Sequence, residues 1–198
     1  MNHRTSVEPE NGDALIIVDV QNDFLPGGRL AVPSGDEVVA ALKQYIAAFQ
    51  SRGLPIYATR DWHPADHCSF KEQGGIWPPH CIAGSDGAEF PAQLRHAPDT
   101  VVISKATTPG KDAYSGFEGT DLADRLRKQN VRRLFIGGLA TDYCVLNTVQ
   151  DALQQGFTVL LLQDAIRAVN VQPGDGRRAE AEMQRRGATP IRFAALTT

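Results

Sequence analysis

Cys144 stands at the end of the stretch LFIGGLATDYC, where the apolar run Leu134 to Ile136 halts at Gly137-Gly138 and a helical pattern begins with Val145, Leu146, Val149, Ala152 and Leu153. That spacing places the thiol in the first turn of a helix, with Thr141 or Asp142 as N-cap and Gly156 as stop. Unpaired N–H groups and the positive end of the helix dipole favour a thiolate there, drawing the pKa below roughly 8.5, and the same N–H groups can hold an oxyanion. By position alone, Cys144 reads equally well as a small buried apolar side chain.

Three more reactive residues follow apolar runs. Asp19 nearly ends the run in ALIIVDVQNDF, Asp61 follows Tyr57-Ala58-Thr59-Arg60, and Lys105 follows Val101 to Ser104. An aspartate beside a thiol can act as general base, and a lysine can stabilise carboxylate and thiolate while orienting both. Singly, such an aspartate also serves turns and such a lysine a solvated edge. Their joint placement points to an Asp-Lys-Cys hydrolase site.

A second constellation is Asp61-Trp62-His63, then His67, then Trp77-Pro78-Pro79-His80-Cys81. A carboxylate with imidazoles on one loop suits a borderline divalent ion, zinc first, with manganese or iron as alternatives, and leaves positions open for water or substrate. Cys68 and Cys81 are read as bystanders, because a cysteine-rich zinc site would be closed and structural. Phe24, Trp77 and Tyr114 are candidate walls of an aromatic slot, which beside a thiol suggests a flat ring as substrate.

The elements that must carry these residues alternate. Apolar runs at 14–20, 54–59, 100–104, 133–137, 158–162 and, more weakly, 190–193 are too continuous for half-exposed strands and suit strands covered on both faces. Between them, Ser34 and Glu37 form a candidate capping box before Val38, Val39, Leu42, Tyr45, Ile46 and Phe49, with Gly53 as a stop. Further helices are expected over 120–129, 141–155 and 175–186. This order predicts a three-layer α/β/α doubly wound sheet of about six mostly parallel strands, whose carboxyl ends form the ligand-binding rim. Residues 61–91, rich in Pro, Gly, His and Trp, form a metal- and substrate-binding loop region.

At 198 residues the chain suits one domain, over 13–198, preceded by a polar, frayed tail over 1–12. A formal charge of −3 and the lack of any basic run longer than two residues speak against nucleic-acid binding, and no segment has the length of a transmembrane helix. Three cysteines and no apolar leader predict reduced thiols and a cytoplasmic location.

Taken in order, VDVQNDF, DWHPADHCSF, WPPHC, the Lys105 strand end and GGLATDYC resemble the nicotinamidase/pyrazinamidase family of the isochorismatase-like cysteine hydrolases, over about residues 14–193. The DWH and WPPHC pair is the specific part, since siderophore-type isochorismatases lack this metal site. The resemblance implies Cys144 as nucleophile, Asp19 as general base and Lys105 as the orienting partner. It implies a cis Leu139–Ala140 peptide, with the Ala140 and Cys144 N–H groups as oxyanion hole. It makes Asp61, His63 and His80 the ligands of one divalent ion per chain. His67 is a fourth position that ligates in some relatives and not in others. Phe24 and Trp77 would sandwich a pyridine ring whose nitrogen meets the metal. The implied reaction, through a Cys thioester, takes nicotinamide, and pyrazinamide with it, to the acid and ammonia in NAD salvage. The expected partner is thus a small aromatic carboxamide, with homo-oligomer formation left open. Alternatives are another amidase of the superfamily acting on carbamoyl or ureido groups, or a non-catalytic binding protein on the same fold.

Overall fold

The computed structural model describes residues 6–94 and 99–197. Its centre is one six-stranded sheet, all pairings parallel, built from β1 (Asp13–Val18), β2 (Ile56–Asp61), β3 (Val101–Lys105), β4 (Arg133–Leu139), β5 (Thr158–Arg167) and β6 (Thr189–Ile191). The strand order is β3-β2-β1-β4-β5-β6, so the chain winds outward from β1 in one direction and restarts at β4 on the other side. The switch between β1 and β4 opens a crevice beyond their carboxyl ends, where such sheets bind ligands.

Both sheet faces are covered, which explains the unbroken apolar runs. Along β1, Leu15 and Ile17 pack into one core with α1 (Glu37–Gln50), while Ala14, Ile16 and Val18 pack into a second core. That second core takes Leu122 and Leu126 of α2 (Leu122–Lys128), Val149 and Ala152 of α3 (Leu146–Gln154), and Met183 of α4 (Asp175–Arg185). Each fully buried aliphatic side chain in these layers contributes about 1.5–3 kcal/mol of transfer free energy.

Several boundaries differ from expectation. β1 stops at Val18 because Asp19 takes a left-handed conformation, φ 46°, and turns out of the sheet. The capping box does not form: Asp36 occupies the cap position, and the Glu37 carboxylate lies 2.6 Å from Arg167 instead. β5 runs on to Arg167 past a register shift opposite Ile136 and Gly138, and Phe193 lies in a single turn after β6. Within the stretch expected as a tail, Met1 to Thr5 lie outside the described residues, whereas Val7 bridges to Leu196 and packs against the core.

Residues 61–91 form an ordered loop with short turns and two isolated bridges, His63 to Ile82 and Phe70 to Trp77. Among the described residues, no helix is long and apolar enough to cross a membrane.

Candidate active site

Four strands deliver one reactive residue each to the same rim. Asp19 follows β1, Asp61 and Lys105 end β2 and β3, and Cys144 lies five residues beyond the end of β4. All four are buried, Lys105 to within 1 % of complete burial. Lysine is almost never buried so fully unless paired.

Its pairing is complete. The Lys105 ammonium donates to Asp61 Oδ1 at 2.6 Å, to the Ala113 carbonyl at 2.9 Å and to Cys144 Sγ at 3.6 Å, with Asp19 Oδ2 at 2.9 Å as a second ion pair. On the other side, the Thr59 hydroxyl donates to Asp19 Oδ1 at 2.6 Å. Asp19 Oδ2 has the ammonium beside it but no well-directed hydrogen bond among the described residues, so this oxygen is the one left to take a proton. Carboxylate oxygens of Asp19 and Asp61 and the Cys144 sulfur lie within 4.8 Å of one another.

The electrostatics correct one expectation. Burial pushes the Cys144 thiol well above its ordinary range; Lys105 opposes this, and Asp19 and Asp61 add to it. The helix-terminal preference for a thiolate is outweighed, and the resting group is a thiol that needs a base. Burial also raises Asp19, against the pull of Lys105. For Asp61, burial is overcome by Lys105 and His63, and its carboxyl is held below the usual range. Burial would lower Lys105, but the two carboxylates hold it well above its usual value.

The turn that carries the thiol is also wider than expected. Thr141–Val145 make a π-type turn capped by Ala140, after a cis Leu139–Ala140 peptide, and α3 starts only at Leu146. Neither Thr141 nor Asp142 caps it. The Asp142 carboxylate instead accepts the Val169 and Asn170 N–H groups, at 2.9 and 2.8 Å, and so ties the turn to the loop after β5.

Beside the thiol, Asp61, His63 and His80 present donor atoms within 4.8 Å of one another, all buried. His63 Nδ1 lies 3.0 Å from the His80 carbonyl and His80 Nδ1 2.8 Å from the Pro78 carbonyl. A carbonyl only accepts, so each Nδ1 carries the proton and each Nε2 keeps its lone pair. Burial lowers His63 to about 4 and lowers His80 too, keeping both rings neutral. A carboxylate and two neutral imidazoles with free Nε2 atoms fit a zinc-type ion.

His67 is not brought into this group. Its ring nitrogens lie 2.8 Å from the Ser69 hydroxyl and 3.1 Å from the Lys111 carbonyl, and its close donors are His63 and Asp112. The carbonyl accepts from Nε2–H, which leaves that nitrogen no lone pair for a metal.

Over the thiol lies a narrow, largely apolar cleft that includes the expected Phe24, Trp77, Tyr114 and Ala140, with Asp61, His80 and Cys144 at its floor. Trp77 Nε1 donates to the Tyr114 hydroxyl at 3.0 Å, and Tyr143 packs edge-on to Trp77 with centroids 5.1 Å apart. Sequence reasoning missed Leu30, Val32, Tyr143 and Val169 as walls and Thr59 as the partner of Asp19. Thr59 alone carried a signal, as a hydroxyl near the end of an expected strand. A wider hollow lined by Gln50, Pro55, Thr100 and Gln129 sits at the opposite, amino-terminal rim and holds none of these reactive groups.

A model of the isochorismatase domain matches residues 13–195. The nicotinamidase of Escherichia coli (strain K12) is 42% identical over 197 residues, covering 89% of this chain and 92% of that one. Among solved structures, the pyrazinamidase of Pyrococcus horikoshii in complex with zinc is similar at a TM-score of 0.88 and 51% identity, over 92% of this chain and 99% of that one. PnC1 from L. infantum in complex with nicotinate is similar at a TM-score of 0.89 and 38% identity, over 97% and 98% of the two chains.

Proposed function

The chain belongs to the isochorismatase domain family, and from that membership and the site geometry we propose that it is a nicotinamidase, a cysteine amidohydrolase that also accepts pyrazinamide. The observation that carries the reading is the Lys105 ammonium, within 3.6 Å of Asp19, Asp61 and Cys144, of which Asp61 and Cys144 line an aromatic, largely apolar cleft. The zinc-bound and nicotinate-bound relatives support the same assignment.

Asp61, His63 and His80 would hold one divalent ion, zinc before iron or manganese, which when bound supplies a Lewis-acidic partner for the ring nitrogen and orients the substrate. Phe24 and Trp77 stack the ring, with Tyr114 closing the slot. The Cys144 proton passes to Asp19 Oδ2 as the sulfur attacks the carboxamide carbon. The N–H groups of Ala140 and Cys144 hold the developing oxyanion, and Lys105 offsets the negative charge on sulfur and carboxylate. When the C–N bond breaks, Asp19 returns the proton to the leaving nitrogen, and ammonia departs from a Cys144 thioester. Asp19 then deprotonates water, which attacks the thioester to give nicotinic acid and restore the thiol. The product is the free acid that resynthesis of pyridine nucleotides consumes, and this chemistry supports a role in NAD salvage. All three cysteines are free, which supports a reducing, cytoplasmic setting.

The test is ammonia and nicotinic acid release from nicotinamide by zinc-loaded protein, with Cys144→Ala as control. Turnover that vanishes in the variant is the expected result. Wild-type protein that is loaded with metal, folded and inert towards nicotinamide and pyrazinamide would overturn the assignment.

A further inference from the structure

The segment Val18 to Phe24 contributes Asp19 and Phe24 to the site, yet its most deeply engaged polar side chains lie between them and have no role so far. Gln21 is fully buried. Its Oε1 accepts the Asp61 N–H at 2.8 Å, while its Nε2 donates to the Asp61 carbonyl at 2.8 Å and to the Ala88 carbonyl at 2.9 Å. One amide thus grips both backbone groups of a candidate metal ligand, beyond the last backbone pairings of β1 with β2.

Asp23 does the same for the second half of the site. Its Oδ2 accepts the N–H of Cys81 at 2.7 Å, and its Oδ1 accepts the N–H of Arg29 at 3.2 Å. Cys81 follows His80 directly and has a left-handed backbone, φ 47°, an uncommon conformation for a residue with a Cβ. The Cys81 carbonyl in turn accepts the His63 N–H at 3.0 Å, so the turn fixed by Asp23 carries His80 and ties down the backbone of His63. The Gly87 backbone packs directly against the Asp23 carboxylate: a Cβ on Gly87 would come within 2.2 Å of its Oδ2. The Arg29 contact leads on to Leu30 and Val32, which wall the cleft.

We propose that Gln21 and Asp23 are positioning residues that preset the Asp61, His63 and His80 donors, making metal affinity and ring binding depend on one three-residue brace. Neither side chain is a ligand. Each fixes the backbone from which a ligand projects, and supporting partners of this kind typically change metal affinity by about 10–100-fold. The inference rests on the metal-dependent nicotinamidase reading.

The test uses metal-stripped full-length wild type, Gln21→Met and Asp23→Asn. Zinc affinity is read by competition with a chromogenic chelator, folding by circular dichroism, and melting temperature with and without zinc. Both variants should bind zinc about 10–100-fold more weakly and show a smaller zinc-induced rise in melting temperature. At saturating zinc, KM for nicotinamide should rise more than kcat falls. Asp23→Asn is nearly isosteric and decides the matter if Gln21→Met does not fold. Zinc affinity within twofold of wild type in folded variants overturns the brace, as does a lowered melting temperature with an unchanged zinc-induced rise. Wild type that binds no zinc overturns the brace and the metal-dependent reading together, whereas normal zinc binding without nicotinamide turnover strikes only the substrate assignment.

Discussion

The Lys105 ammonium has its donors engaged by Asp61, by the Ala113 carbonyl and by the Asp19–Cys144 pair, so it cannot serve one partner without holding the others. This makes the charge state of the site a shared property. With the thiol held up by burial, the proposed mechanism requires Asp19 to be ionised when substrate arrives. Replacement Asp19→Asn should lower kcat by about 10²–10⁴-fold while the fold survives, as steady-state kinetics and circular dichroism would show. Because burial raises Asp19, the acid limb of kcat/KM in wild type should lie above the ordinary aspartate value of about 3.9, and activity should fall as pH drops through it. A limb at or below that value would count against Asp19 as the base. At this scale the sequence was informative about placement: Asp19, Asp61, Lys105, His63, His80 and Cys144 come together on one rim. It misjudged the thiol, since a helix terminus is visible in a sequence while the burial that overrides it is not. It also left His67 open, because its engagement by Lys111 depends on a loop 44 residues away.

Elements set the precision with which those residues meet. β1 and β4 run in register from Asp13 opposite Arg133 to Val18 opposite Gly138, and there the two strands nearly touch. A Cβ on Gly138, whose φ is 128°, would lie 2.1 Å from the Val18 carbonyl oxygen. Gly138→Ala should therefore destabilise the protein by about 2–3 kcal/mol or more and displace the turn bearing Cys144, lowering both the urea midpoint and kcat. A variant with wild-type stability and rate would show that the β1–β4 approach does not locate the nucleophile. Strand existence was legible from the continuous apolar runs, because burial on both faces removes alternation. Strand ends were not: β1 is ended by the backbone turn at Asp19, which no composition rule reveals. The capping box failed for a similar reason, as Glu37 found a distant arginine on β5.

At the scale of the whole molecule, burying neutral imidazoles ties stability to pH. His63 is held at about 4, below its unfolded value of about 6.5, so between these values the unfolded chain binds the extra proton. Stability of the metal-free protein should then be full above about pH 6.5 and fall as pH drops towards 4, by about 3 kcal/mol from this group. Urea titrations at pH 7 and pH 5 measure the loss, and His63→Asn should flatten it; an equal loss in the variant would assign the effect elsewhere. Doubly wound architecture was readable from the alternation of strands and helices, since parallel pairing requires crossovers. Sequence also marked residues 61–91 as functional, but not how they fold, because their order comes from contacts with the segment after β1.

The delivery of reactive residues by four strands has a kinetic side. Contacts that make the site join distant residues: Thr59 to Asp19, Lys105 to Asp61 and Lys105 to Cys144 are 39 to 44 positions apart, and the Lys105–Asp19 ion pair spans twice that. No local hairpin or single βα unit contains the site, and each contact closes a long loop before it gains anything. Helices can form early in such a chain without any of this chemistry. Recovery of amide hydrolysis on dilution from denaturant thus reports the arrival of the last central strand, and a partly folded chain is catalytically silent, its thiol exposed without a base beside it.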